Sequence, residues 1–402
     1  MTRVLAVRLD SDGDVLLAGP AVRALAATAA EVDLLVSPAG RAAAELLPAV
    51  RAVHVFDAPW SGYAPPPVDP AGTADLVAAL ADRRYDRCLI FTSFHQSPLP
   101  MALLARLAGI GYVAATSEDY PGSLLDLRHR RLPGLHEAEA ALDLACAAGG
   151  AVPAGDDGRL AVRGPLPDVA ALVPAGRYVV LHPGASVPAR AVPAAHAAAL
   201  AAALRAAGWS VVVTGAPAEA ATTAAVTALA ADGAPAADQA GTSAADHDGT
   251  RPAGQDRTPA GHPAGVGGED DGASAPTTPE PSPAPSPGTP ATTLADLGGR
   301  TTLPELAAVL AGADAVVVGN TGPAHLAAAV GTPVVSLFSP VVPAERWAPW
   351  GVPTVLLGDQ DAACRGSRAR ECPVPGHPCL TSVTPAEVVA AVRSLVGAGV
   401  AA

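Results

Sequence analysis

Residues 315–340 read AVVVGNTGPAHLAAAVGTPVVSLFSP. The opening run Ala315–Val318 is wholly apolar, as expected of a strand covered on both faces. Gly319-Asn320-Thr321-Gly322-Pro323 then interrupts regular structure, and Gly322 and Pro323 stand at the start of a helix, where proline loses nothing by lacking an N–H. A helical stretch over His325–Val330 and a second apolar run over Val334–Phe338 follow. Strand, short loop, helix and strand in this order predict a parallel pair joined by a right-handed crossover.

The same unit recurs outward. Upstream come a strand at Tyr178–His182, a helix over Pro193–Ala207, a strand at Ser210–Thr214, and helices over Glu219–Ala231 and Leu303–Ala311. A helix at Pro385–Leu395 closes the chain as core. The first half carries its own series: strands at Val4–Leu9, Val32–Val36, Ala52–Phe56 and Arg87–Thr92, with helices at Gly19–Ala30, Arg41–Leu47, Ala74–Arg83 and Pro100–Leu107. The reading is therefore α/β, with two Rossmann-like domains of parallel sheet. Their boundary falls in the Pro-rich stretch Gly164–Pro174, giving 1–172 and 173–402. Between about Gly233 and Thr293 the sequence turns to Pro, Gly, Ser, Thr, Ala and Asp with almost no aliphatic residues, too few to offset the entropy of ordering. This segment is read as a disordered insertion that loops out of the second domain, and its deletion is expected to leave activity intact.

Composition narrows the class. A chain of 402 residues, half of them hydrophobic, can build two cores, and with 3% aromatic residues those cores must be Ala, Val and Leu. A net charge of -13 disfavours nucleic acid as a partner. Arg128, His129, Arg130 and Arg131 form the one dense basic run, which suits either a solvated loop or an anionic acceptor or membrane headgroup. No basic leader precedes the first strand and no window reaches the ~20 apolar residues of a membrane span, so a cytoplasmic protein is expected. Five cysteines, an odd number, argue against a disulfide framework.

Ligands of open parallel sheets bind beyond the carboxyl ends of the strands, and three loops stand there. Arg8-Leu9-Asp10-Ser11-Asp12-Gly13-Asp14 puts Asp14 at a helix start, as a cap or as a group facing the cleft; no GxGxxG accompanies it, which weighs against an oxidoreductase. His182-Pro183-Gly184-Ala185-Ser186, followed by Arg190, is either an ordinary turn or a phosphate cradle with a hydroxyl and a cation. At Gly319–His325, Thr321 and the helix start favour a diphosphate, and His325 lies one turn in. Cys364, Cys372, Cys379 and His377 could bind Zn²⁺ but lack a CxxC pair, so free or packed thiols are the default. Trp347 and Trp350, with Arg346, either line the cleft mouth or pack.

Together the motifs RLDSDGDVLLAGPAVRAL, LHPGAS and NTGPAHLAAAVGTPVVSLFSP with the following ERWAPWG resemble glycosyltransferase family 9, the ADP-heptose:lipopolysaccharide heptosyltransferases. The resemblance implies the GT-B fold, with two sheets facing across a cleft, and an inverting transfer without metal or cofactor. The donor, ADP-heptose or a related nucleotide sugar, would sit in the second domain; a saccharide or lipid-linked glycan acceptor would approach from the first, with Arg128, Arg130 and Arg131 as acceptor-side candidates. It makes Asp14 the general base, and Ser186, Arg190, Glu219, Asn320, Thr321, Gly322 and His325 the donor-binding residues, with Glu219 on the ribose. Asn320 stands where many relatives carry Asp, and Ala191-Val192-Pro193 where relatives carry a basic residue and Trp. His136 and Glu137 resemble an acceptor-side segment but receive no role. Peripheral contact with the inner membrane face would follow from a lipid-linked acceptor. A sugar-nucleotide epimerase and a non-catalytic nucleotide-sugar binder are the competing readings; the first would act on donor alone, the second would not need Asp14.

Overall fold

The computed structural model describes residues 2–62, 65–93, 96–232 and 292–399. All but the last two residues of the segment read as an insertion lie outside them.

The first half contains strands β1 (Arg3–Arg8), β2 (Glu31–Val36), β3 (Val53–Val55), β4 (Arg87–Phe91), β5 (Tyr112–Thr116) and β6 (Leu127–His129). Its helices are α1 (Asp12–Leu17), α2 (Gly19–Ala26), α3 (Arg41–Leu46), α4 (Pro70–Arg83), α5 (Leu99–Leu107) and α6 (Glu137–Ala147). The second half contains β7 (Tyr178–His182), β8 (Ser210–Val213), β9 (Leu294–Asp296), β10 (Ala315–Gly319), β11 (Val334–Leu337) and β12 (Thr354–Leu357). With them run α7 (Ala194–Ala206), α8 (Ala220–Ala231), α9 (Leu303–Ala311), α10 (Gly322–Ala329), α11 (Ala344–Trp347), α12 (Pro378–Thr381) and α13 (Pro385–Gly399).

Both sheets are six-stranded and parallel, in the orders β3-β2-β1-β4-β5-β6 and β12-β11-β10-β7-β8-β9. Counted from the start of each half, the two orders are the same, the doubly wound arrangement in which chain direction across the sheet reverses between the first and fourth strands. Valine-rich β7 (YVVLH) and β10 (AVVVG) are buried along their whole length, as two-sided burial of a parallel sheet requires.

The halves share one compact unit. Helix α1 packs on α10 and α3 on α9, and a single apolar cluster includes Leu16, Val22 and Leu34 of the first half with Leu306, Val316 and Leu326 of the second. Small residues make that approach possible. A methyl group built on Gly13 would meet His325 Cδ2 at 3.0 Å and Gly322 Cα at 3.1 Å, so the amino ends of α1 and α10 touch through glycine.

Candidate active site

The order reversal marks two crevices, beyond β1 and β4 in one sheet and beyond β7 and β10 in the other. The three loops singled out in the sequence follow β1, β7 and β10. The contact between α1 and α10 brings the first and third together.

Asp14 lies in the first turn of α1 but does not cap it. Its carboxylate accepts from Arg8 Nη2 at 3.0 Å and from Ser11 Oγ at 2.9 Å. Arg8, at the end of β1, is 3% exposed; its Nε is 2.9 Å from Asp10 Oδ2, and its Nη2 also donates to Ser93 Oγ at 3.0 Å. Asp10 in turn accepts from Gln96 Nε2 at 2.6 Å. Burial pushes the Asp14 carboxyl up, but the Arg8 charge, the Ser11 hydroxyl and nearby His325 outweigh it and hold it below the usual carboxylate range. Asp10 goes the other way, raised by burial and by Asp14 despite Arg8 and Gln96. Two carboxylates around one guanidinium are thus driven apart, with Asp14 held the lower of the two.

His325, on α10, is buried, and its Nδ1 has no hydrogen-bond partner among the described residues. Burial, helped by His136 and Arg190, lowers it to about 4 against the opposing pull of Asp14, so the imidazole is neutral near pH 7 with one ring nitrogen available to a ligand. Thr321 precedes α10 as its N-cap without a side-chain capping bond. The Arg190 carbonyl sits where a Gly319 side chain would be, 2.7 Å from a built Cβ, which joins the β7 loop to the β10 loop. Ser186 is exposed on the same loop.

Glu219 accepts from the Ala216 amide at 2.7 Å and lies across Gly184, whose Cβ would fall 2.2 Å from the carboxyl carbon. His182 stands behind it, bonded through Nδ1 to Thr214 Oγ1 at 3.0 Å and held to about 4 by burial. Asn320 bridges two loops. Its Nδ2 donates to the Ser339 carbonyl at 3.1 Å and its Oδ1 accepts from the Ser339 amide at 3.1 Å, so the amide ties the β10 loop to the β11 loop. A carboxylate could not make both bonds.

The basic run is divided. Arg128 donates to the Ser117 and Glu118 carbonyls, and exposed Arg130 pairs with Glu118 at 3.3 Å. Arg131 turns inward to buried Glu137 at 2.6 Å. His136 caps α6, donates from Nε2 to the Ala348 carbonyl at 2.9 Å and stacks on Trp350 with centroids 4.6 Å apart. Trp350 also donates to the Gly158 carbonyl at 2.9 Å and so packs as a joint between the halves. The cysteines are free thiols, with Cys364 and Cys379 buried, and no group of His, Cys, Asp or Glu among the described residues is arranged to hold a metal.

Sequence reading missed the roles of Arg8, Asp10, Ser93 and Gln96. An arginine ending an apolar strand was the available signal, because charge is almost never fully buried without partners. Nothing in the β4 loop advertised Ser93 or Gln96.

A family model, glycosyltransferase family 9 (heptosyltransferase), matches residues 287–377, which bears out the resemblance carried by the motifs. None of the curated proteins matches the chain. Among solved structures, the chain is similar to E. coli ADP-heptose lps heptosyltransferase II, with 18% identity, 99% of each chain covered and a TM-score of 0.63. It is also similar to a family 9 glycosyl transferase from Veillonella parvula, with 14% identity, 99% and 98% covered and a TM-score of 0.69. A third is E. coli heptosyltransferase WaaC with ADP, with 18% identity, 98% and 100% covered and a TM-score of 0.60. The expected GT-B fold is borne out by these likenesses. No helix among the described residues is long and apolar enough to cross a membrane.

Proposed function

We propose that the chain is an inverting, metal-independent glycosyltransferase that moves heptose or a related sugar from an ADP-linked donor to a saccharide or lipid-linked glycan. The supporting observation is the meeting of α1 and α10, which places the ionised Asp14 carboxylate within electrostatic reach of His325 on the donor loop. ADP is named because WaaC was solved with ADP and with ADP-2-deoxy-2-fluoro heptose.

In this reading Asp14 takes the proton of the acceptor hydroxyl as its oxygen attacks the anomeric carbon and the bond to the diphosphate breaks. Ser186, Arg190, Thr321, Gly322 and the neutral His325 meet the charge that develops on the diphosphate. Glu219, braced by the Ala216 amide, accepts from the ribose hydroxyls. Asn320 lines the donor site and shapes its loop through Ser339. Residues 1–172 receive the acceptor, with Arg128, Arg130 and Arg131 on that side, and 173–402 hold the donor. A lipid-linked acceptor would bring the enzyme to the cytoplasmic membrane face.

Asp14→Ala should bind ADP with an unchanged Kd while turnover falls ~10²–10⁴-fold, the usual worth of a general base. Undiminished turnover removes Asp14 from the mechanism. Calorimetry of ADP, UDP and GDP without divalent metal tests the donor: selective ADP binding supports the assignment, and preference for another nucleotide overturns it.

A further inference from the structure

The buried circuit beneath Asp14 extends the proposed mechanism and rests on the reading of Asp14 as base. We propose that Arg8 is a positioning residue for the transfer, fixing the orientation and charge of the Asp14 carboxylate, and that Asp10, Ser93 and Gln96 exist to hold Arg8.

Strand β1 is apolar except at its two ends, and the inner end is an arginine 3% exposed to solvent. A guanidinium so placed needs fixed partners, and its planar fork can serve several at once. Nη2 bonds Asp14 and Ser93 Oγ, each at 3.0 Å, while Nε pairs with Asp10 at 2.9 Å. The outer side is closed by Gln96, whose Nε2 donates to Asp10 at 2.6 Å and whose Oε1 accepts from the Ser93 amide at 3.1 Å. Arg8, Asp10, Gln96 and Ser93 therefore form a ring anchored on β1 and the β4 loop. Asp14 hangs from this ring through Arg8, and Ser11 adds a second bond to it at 2.9 Å.

The charges around Asp14 show what the ring does. Asp10 faces it from the same loop and His325 from α10, while Glu137 of α6 adds negative charge around Arg8 and Asp10. Arg131 engages Glu137, so Arg8 is the cation bonded to Asp14 itself. Without Arg8, the burial of Asp14 and the charge of Asp10 would both favour protonation, and a protonated Asp14 cannot accept the acceptor's proton. The positional part follows from the fork. A lysine would restore the charge at one point but could not offer one nitrogen to Asp10 and another to Ser93 and Asp14.

The test is kcat against pH for the wild type, Arg8→Gln, Arg8→Lys and Asp14→Ala, with the Kd for ADP measured on each. Arg8→Gln should lower kcat at pH 7 by ~10²-fold, within the range for general-base catalysis. Its acid limb should move to higher pH with ADP binding unchanged, and Arg8→Lys should return the limb toward the wild-type position while recovering only part of kcat. An acid limb of Arg8→Gln that coincides with the wild type overturns the proposal while leaving Asp14 as base, provided Asp14→Ala is inactive. A fully active Asp14→Ala overturns the base reading and this inference with it. Should Arg8→Gln fail to fold, Ser93→Ala and Gln96→Leu, which loosen the ring from outside, should each lower kcat without changing the Kd for ADP, and unchanged kcat in both overturns the proposal.

Discussion

Gly184 shows how a residue that reads as a loose turn acquires a fixed role. The sequence offers only a Pro-Gly pair after a strand, yet the Glu219 carboxylate lies where a side chain would be, 2.2 Å from a built Cβ. Gly184→Ala must therefore displace Glu219, and nucleotide affinity is expected to fall ~10-fold, about 1.4 kcal/mol, readable by calorimetry. Asn320 gives the opposite lesson. Its place in the motif suggested ligand contact, and its amide also bonds both backbone groups of Ser339. Asn320→Asp should cost ~1–3 kcal/mol, because the Ser339 carbonyl loses its donor and faces a carboxylate, and thermal unfolding will read this directly. The residue types at these positions were legible in the sequence; their partners, on other loops, were not.

Elements were legible where the pattern was long or strongly periodic. Helices at the amino-acid runs of α2, α7, α9 and α13, and apolar strands such as β7 and β10, fall within a few residues of expectation. The strands β5, β6, β9 and β12 and the helices α6, α11 and α12 were not anticipated. Strand β6 is three residues, Leu127–His129, and overlaps the basic run, so pairing with β5 and not its own pattern makes it a strand. Helix α6 begins with a His136 cap closed by Glu139, where serine, threonine, asparagine or aspartate is usual. Among elements the α1–α10 contact is the one that assembles the site, and it depends on Gly13. Gly13→Val should force the amino ends of the two helices apart, lowering turnover ~10-fold or more while the far-UV dichroism stays that of the wild type; a misplacement of ~1 Å at a catalytic group suffices for such a loss.

At the scale of the molecule, the charges around Asp33 form a network separate from those around Asp14. Asp33, the one charge inside β2, is buried, accepts from Tyr85 at 2.6 Å and from Arg51 through two bonds of 3.1 Å, and is held well below the usual carboxylate range by His54, Tyr85 and Arg51 against the cost of burial. A depressed folded value stabilises above the unfolded one, ~3.9, and that contribution is lost as pH falls through the folded value. Asp33→Asn should therefore cost ~2 kcal/mol near neutrality, with the gap to wild type closing as pH drops below about 4, in urea titrations across pH. Removal of residues 233–291 should leave ADP binding and the unfolding transition in place, because β9 pairs with β8 through residues outside that segment. By itself, the sequence determined the two series of strands and helices, the three loops beyond β1, β7 and β10 and the family resemblance, since apolar periodicity and glycine-rich turns are local properties of the chain. Only the tertiary structure decided that Asp14 comes within electrostatic reach of His325, that Arg8 stands between two carboxylates, and that Asn320 binds backbone. Those are contacts between residues far apart in the chain, and burial sets their charges and partners.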